Sequence, residues 1–113
     1  MPQNRKNLID LFIGNMSTAV FHEILVFSAK SEEITKHYEK EIDEAINNSK
    51  RYREKINPAD FSLPSADIGY IKAKIELKVK AELNSRIRKG YKNIDLTLVE
   101  PLIKENLEKM KVT

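Results

Sequence analysis

The amino-acid sequence predicts an all-α bundle of four helices, with five as the upper count. Three observations lead to this fold class. Apolar residues recur at helical spacing through most of the 113 residues, the breaks between periodic segments contain Ser, Pro or Gly, and 33% of residues are charged, as on helices with long solvated faces. The length is that of one domain. We therefore expect residues 1–113 to form a single helical domain, with residues 1–6 frayed and residues 57–64 linking helices 2 and 3.

The first helix is predicted over roughly residues 7–27, where the apolar row keeps its helical phase. Gly14 lies inside that row and weakens the helix without shifting it. The apolar arc is wider than one neighbouring helix covers, so we expect it to be buried on more than one side, within the domain or against a partner. The row supplies the candidate protein interface, which consists of Ile9, Phe12, Ile13, Met16, Val20, Phe21, Ile24 and Phe27.

The second helix is predicted from Ser31, as its N-cap, to about Ile56. Residues 31–45 hold six acids and two lysines, whereas residues 46–57 hold four bases and one acid. This order, with acids first and bases last, is the one that the helix dipole favours. Pro58 ends the helix, because the residue before a proline disfavours the α conformation.

The third helix is predicted over about residues 65–89, within the most basic stretch of the chain. Residues 71–83 alternate strictly between apolar and polar, which is a strand pattern. That run is longer than most strands, however, and its Ala, Lys, Glu and Leu favour helices. Two apolar faces, one through Ile75 and one through Leu77 and its alanine neighbours, predict that this helix is the central one. An α+β fold with strands near 71–83 and 94–99 remains the alternative.

Local signals mark the ends of the last two helices. Ser65 is predicted to cap helix 3, and Gly90 to follow its last turn. Thr97 and Glu100 form the capping-box pattern of a fourth helix over about residues 98–110. Its inward-facing residues are predicted to be Leu98, Val99, Leu102, Ile103, Leu107 and Met110. In the linker, Phe61 and Leu63 are expected to fold back onto the core.

The residue types argue against an enzyme. The chain has no cysteine, which removes thiolate nucleophiles, thiolate metal sites and disulfides. His22 has no second histidine one turn later, and His37 has only two acids at helical spacing, whereas a metal site needs three or more convergent ligands. We expect no catalytic, cofactor-binding or metal-binding residues and no cofactor.

The most apolar window, residues 8–27, is predicted to belong to the core of a soluble protein. Asp10, Asn15, His22 and Glu23 interrupt it, and such residues are costly in a bilayer. The window also lacks the pattern of a cleaved signal peptide. We expect a cytoplasmic protein with no membrane partner.

Two basic clusters, each enclosing a tyrosine, are the candidate nucleic-acid contacts. Lysine and arginine neutralise phosphates, and a tyrosine ring stacks on bases. Both clusters also fall near helix C-termini, where cations are stabilising for local reasons alone. Their residues are Lys50, Arg51, Arg53 and Lys55 in the first cluster, and Arg86, Arg88, Lys89, Tyr91 and Lys92 in the second.

Two functions of different classes follow as expectations. The leading one is a non-catalytic helical interaction or oligomerisation protein, which pairs with itself as a homodimer or with another helical protein through the first helix. The alternative is a nucleic-acid-binding accessory protein that uses the two basic clusters. The net charge of +3 is a mild excess for a nucleic-acid binder and favours the alternative only weakly.

Overall fold

The computed structural model describes residues 2–29, 31–57 and 63–113, with side chains from Arg5 onward. Four α-helices follow one another, and their bounds are α1 Pro2–Ser28, α2 Glu32–Ile56, α3 Ser65–Arg88 and α4 Val99–Lys109. A 3-10 turn over Leu96–Leu98 precedes α4, and no strand occurs in the described ranges. The all-α bundle of four helices is therefore confirmed. The α+β alternative is wrong, because residues 71–83 lie within α3 and residues 94–99 contain the 3-10 turn.

Helix α1 is the centre of the bundle, because it packs against each of the other three helices. Residues 11–22 contain no charged side chain, so α1 can be buried on several sides without desolvating a charge. Phe12, Met16 and Val20 are completely inaccessible to solvent. The helix continues through Gly14 without a break, as predicted, and its backbone is already helical from Pro2, within the stretch that we expected to be frayed.

The prediction that helix 3 is central was wrong. Helix α3 is present over the expected residues, but it buries one row only, Ile71, Ile75, Val79 and Leu83. The second apolar face points to solvent, and its Leu77 is 63% exposed. Lysines at positions 72, 74, 78 and 80 lie on both sides of the buried row, and enclosing them between helices would desolvate their charges.

Helices α2 and α3 flank α1 and make at most marginal contact with each other. The α2 helix begins at the predicted cap, where the backbone N–H of Ile34 donates to the Ser31 hydroxyl at 3.2 Å. Its buried row consists of Ala45, Ser49, Arg53 and Ile56. Most of the linker at 57–64, including Phe61, lies outside the described residues, but Leu63 is buried as expected.

The predicted capping residues of helices 3 and 4 do not act as caps. Ser65 lies inside α3, and the carbonyl of Pro64 accepts the first backbone bonds instead. Thr97 donates its hydroxyl to the Asp95 carboxylate at 2.5 Å, so this hydroxyl serves as a donor to the 3-10 turn and not as a cap of α4. The bonds from Thr97 also lower the pKa of Asp95. The capping-box pattern of Thr97 and Glu100 therefore marked the region of the helix start but not its cap.

Two helices end in the same way. Gly90 has a φ of 100°, and the N–H groups of Gly90 and Tyr91 bond to the carbonyls of Ile87 and Arg86, as in a Schellman motif. The prediction for Gly90 is confirmed. Helix α4 ends with the same pair of bonds, but there the left-handed position is Lys111, with a φ of 58°. Val112, which follows it, is buried against the core.

The side-chain contacts fix the directions of the helices. Asn48 of α2 reaches Asn15 of α1 at 3.4 Å, as expected for consecutive antiparallel helices. Tyr70, near the start of α3, donates to Asp10 at 3.1 Å, whereas Arg86, near its end, lies over Phe21 of α1. Helices α1 and α3 are therefore parallel. In a molecule 44 Å long, the end of α3 lies beside the connection from α1 to α2, and we call this end of the bundle the turn end.

Candidate protein-interaction surface

The turn end is built around a fixed tyrosine. The Schellman turn at Gly90 directs Tyr91 back over the last turn of α3, where its hydroxyl accepts a bond from Arg86 Nη1 at 2.9 Å. The Arg86 guanidinium lies between two rings, 5.3 Å from the centroid of Tyr91 and 5.4 Å from that of Phe21. These are cation–π distances. Arg86 is therefore engaged within the protein and holds the Tyr91 ring in place.

A second aromatic pair supports the same end. The rings of Tyr38 and His22 lie 5.5 Å apart, and His22 contacts Phe21 at 5.0 Å. Burial raises the pKa of the half-buried Tyr38 hydroxyl. His22 Nδ1 lies 2.8 Å from the carbonyl of Thr18, and because a carbonyl only accepts, Nδ1 carries the proton. The rings of Phe21, His22 and Tyr38 thus contact one another across α1 and α2.

An open pocket of about 450 Å³ lies beside Tyr38, between the end of α1, the start of α2 and the turn after α3. Its surface is mainly apolar, with two tyrosines and one lysine as the larger polar side chains. A concave apolar site with a few polar groups is the usual form of a site that accepts an apolar group. The pocket is lined by Leu25, Ser28, Ala29, Ile34, Tyr38, Gly90, Tyr91 and Lys92.

Phe27 lies in the last turn of α1 but does not line the pocket. Helical spacing of about 100° per residue turns its side chain away from Leu25 and Ala29, which do line it. Phe27 is 68% exposed, the largest exposure of any large apolar side chain in the described part of the chain. Ile34 and Tyr91, which line the pocket, are also partly open to solvent. We call the pocket-lining residues the apolar end surface. Apolar residues clustered in this way are typical of contact surfaces, whereas single exposed ones are not informative.

Most of the predicted interface on the first helix is buried within the chain. Ile9, Phe12, Ile13, Met16, Val20, Phe21 and Ile24 are buried by the helices of the same chain. Their wide apolar arc, which motivated the prediction, is covered by three neighbouring helices. Only Phe27 remains accessible to a partner, because no neighbouring helix covers its side of the last turn of α1.

The structure separates the two predicted basic clusters. Residues 50–55 follow Asn48, which lies level with Asn15, and so run towards the start of α1. Residues 86–92 lie at the turn end, so the clusters occupy opposite ends of the bundle and form no common surface. Lys50, Arg51, Lys55, Arg88, Lys89, Tyr91 and Lys92 are exposed, and Arg86 is half-buried under its two rings.

Arg53 is buried and is not part of the exposed basic cluster at residues 50–55. It is 2% exposed and is one of the largest fully buried side chains. Its guanidinium donates to Asn57 and to the backbone carbonyl of Lys111, and burial lowers its pKa. Its assignment as a nucleic-acid contact was therefore wrong. Helical spacing from Ala45 and Ser49 was the signal that placed it in the buried row.

In the described part of the chain, the histidines and acids are not arranged as a metal site. Within the ranges that the structure describes, no group of three or more His, Asp or Glu side chains is placed to hold a metal ion. Glu23, half-buried between α1 and α4, accepts from Asn106 at 3.2 Å, and burial raises its pKa.

Helix α1 has a second property that the sequence interpretation missed. The segment Arg5–Ser28 contains an 18-residue window with a mean hydropathy of 1.3 and is long and apolar enough to cross a membrane by length and composition. The buried core helix of a soluble protein passes the same test, so the expectation of a core helix without a membrane partner stays a prediction. The same segment is the helix around which the other three pack, which gives its apolar side chains a protein environment.

Comparison with protein-family models, with curated proteins and with solved structures gave no match. The apolar end surface is therefore interpreted from its own geometry and chemistry.

Proposed function

We propose that this protein is a non-catalytic helical interaction module that binds a protein partner through the apolar end surface. The observation that supports the proposal is an open apolar pocket whose lining residues Ile34 and Tyr91 are themselves partly open to solvent. Protein interfaces are commonly formed by an apolar centre with aromatic residues and a polar rim. Here the pocket contains the rings of Tyr38 and Tyr91, and the exposed Lys92 is its charged lining residue.

The proposal moves the contact from the length of the first helix to its last turn. The leading expectation from the sequence was an interaction protein, and the proposal keeps that class. Its cytoplasmic location remains a prediction. The partner would place an apolar side chain in the pocket, and the fixed rings of Tyr38 and Tyr91 would supply contact area without a large loss of side-chain entropy.

A photo-crosslinking amino acid at position 34 tests this proposal, because Ile34 lines the pocket and is 46% exposed. We expect ultraviolet light to link the protein covalently to a partner protein in cells that express it. The matched control carries the same group at position 11, because Leu11 is also 46% exposed but lies on α1 outside the apolar end surface. Equal labelling at both positions, or none at position 34, would contradict the proposal.

Nucleic-acid binding is the second candidate, and one observation favours it. Every Lys and Arg between residues 72 and 92 except Arg86 is exposed, which gives α3 and the following turn a basic surface. Such a surface binds phosphates with an affinity that falls as salt rises. Binding to a labelled oligonucleotide should then weaken uniformly across sequences in a variant with Arg88, Lys89 and Lys92 replaced by Ala. Binding that is independent of salt, or absent, would remove this candidate.

A further inference from the structure

We infer that the outer face of α3 is a second docking surface, and that its occupant is an acidic amphipathic helix of another protein. This face is the second apolar face of α3, which the bundle leaves open to solvent. It shares no residue with the apolar end surface, so the inference goes beyond the proposed function.

The open face carries a heptad pattern. Positions separated by alternating steps of three and four residues run along α3 from residue 70 to residue 87, and each of them is exposed. These steps are the spacing of the a and d positions through which one helix packs along another. The large apolar side chains among them are between 40% and 63% exposed. We call this row the α3 seam, and it consists of Tyr70, Ala73, Leu77, Lys80, Asn84 and Ile87.

The composition of the α3 seam fits a helix better than a membrane or a nucleic acid. Leu77 lies at its centre, with the small side chains of Ala73 and Ala81 on either side, and all three are exposed. Small residues allow a second helix to approach closely. A membrane-binding face instead carries a row of bulky apolar side chains, and a phosphate-binding surface gains nothing from an exposed leucine.

The charges beside the α3 seam require an acidic partner. Lys74 and Arg88 lie along one edge, each four residues after a seam residue, and both are exposed. Asp67 and Glu76, the acids of α3 at the edges of the seam, are each held in an ion pair within the chain. Lys74 and Arg88 take part in no ion pair in the described part of the chain. A partner helix with glutamates on its edges complements these two bases.

A second copy of this chain does not meet that requirement. If two seams packed antiparallel along their full length, Lys74 of one copy would face Arg88 of the other. If they packed parallel and in register, the two copies of Lys80 would face each other at the centre of the contact. Both arrangements bring like charges together, which lowers affinity. The occupant is therefore a helix of different composition, with Asn84 available to fix its register.

A synthetic peptide of about 21 residues, or three heptads, tests the chemistry of the occupant. It carries leucines at its a and d positions and glutamates on both edges, and a matched peptide carries lysines in place of the glutamates. Fluorescence anisotropy follows the binding of each labelled peptide to the full chain. We expect a dissociation constant of roughly 10 µM to 1 mM for the glutamate peptide, and binding at least about 10-fold weaker for the lysine peptide.

A substitution at the centre of the α3 seam tests its location. Leu77→Ser should weaken binding of the glutamate peptide at least about 5-fold, because it removes the central apolar contact. Leu11→Ser is the matched control, since Leu11 is also an exposed leucine but lies on α1. It should leave the affinity unchanged.

A charge reversal tests the edge of the α3 seam. Lys74→Glu with Arg88→Glu should reverse the preference, so that the lysine peptide binds more tightly than the glutamate peptide. Lys72→Glu with Lys89→Glu changes the net charge by the same amount at exposed positions of α3 and its C-cap that lie outside the seam. That control should still prefer the glutamate peptide. Circular dichroism of each variant checks that the helices remain.

The outcomes decide between the possible occupants. No binding of the glutamate peptide up to about 1 mM, equal effects of Leu77→Ser and Leu11→Ser, or a reversed preference in both charge variants would overturn the inference. Vesicles that contain phosphatidylserine and a labelled oligonucleotide serve as competing probes. Tighter binding to either of them, lost in Leu77→Ser, would also overturn it and assign the face to a membrane or to nucleic acid. The crosslinker at position 34 tests the proposed function separately, because it reports on the other surface.

Discussion

Replacing Arg53 by Met tests whether the hydrogen bonds of this buried side chain hold the end of α2 against the end of α4. Arg53 Nη1 donates to the Asn57 side-chain oxygen at 2.5 Å and to the Asn57 carbonyl at 3.2 Å. Arg53 Nη2 donates to the carbonyl of Lys111 at 2.9 Å, across 58 positions in the sequence. The side chain thus joins the end of α2 to the turn that ends α4. Met fills a similar volume without these donors.

The magnitude follows from the bonds and from the cost of burying the charge. A hydrogen bond from a charged donor contributes about 1.5–3 kcal/mol, and an acceptor left without a donor costs about 1–3 kcal/mol. The lowered pKa of Arg53 shows that burial disfavours its charged form, which offsets part of this gain. We expect Arg53→Met to lower the free energy of unfolding by about 2–4 kcal/mol. At about 5 °C per kcal/mol, the Tm falls by about 10–20 °C.

Urea and thermal unfolding followed by circular dichroism measure the change. Arg51→Met is the matched control, because Arg51 lies on the same helix but is exposed, and its replacement should change stability by less than about 0.5 kcal/mol. Arg53→Lys should fall between the wild-type protein and Arg53→Met, since an ammonium group lacks the planar fork that reaches both acceptors. If Arg53→Met is as stable as the wild-type protein, desolvation outweighs the bonds and the reasoning is refuted.

Four further substitutions have a predicted direction of effect on stability. Gly14→Ala should stabilise the protein by about 0.5–1 kcal/mol, because Gly14 is helical and a methyl group there meets no atom within 4 Å. Gly90→Ala should instead destabilise it by about 1–2 kcal/mol, since its φ of 100° is unfavourable for a residue with a side chain. Lys111→Gly relieves the same restriction at a φ of 58° and should add about 0.5–1 kcal/mol, as measured by urea unfolding. Burial raises the pKa of Glu23, so the folded protein favours its neutral form more than the unfolded chain does. The stability that this contributes is present at acidic pH and is lost as pH rises through the folded pKa. Glu23→Gln should therefore raise the Tm at neutral pH, and the gain should vanish below the ordinary Glu pKa of 4.5.

Three results would contradict these predictions. A destabilised Gly14→Ala variant would mean that the site is closer packed than the structure indicates. Equal stabilities of Gly90→Ala and the wild-type protein would exclude a left-handed residue at the end of α3. A gain from Glu23→Gln that persists unchanged at acidic pH would trace the effect to packing and not to ionisation.

Much of the secondary structure could be predicted because its causes are local. The Ser31 cap, the ordered charges of α2 and the glycine after α3 each act within one or two turns of helix. The choice of helix for residues 71–83 rested on length and residue type, and it is confirmed. Caps were less predictable, because the Thr97 hydroxyl bonds to Asp95 in the preceding turn and α4 begins without a side-chain cap.

The sequence by itself determined four helices and the apolar row that each carries, because helical periodicity places apolar side chains in rows regardless of what later covers them. Only the tertiary structure decided which helix is central, that Arg53 is enclosed, that the basic clusters lie at opposite ends and that Phe27 is exposed. Each of these outcomes depends on which neighbour lies beside a residue at its level along the bundle. Phe27 shows the distinction most clearly, because it continues the apolar row of α1 yet lies one turn beyond the helices that cover the rest of that row.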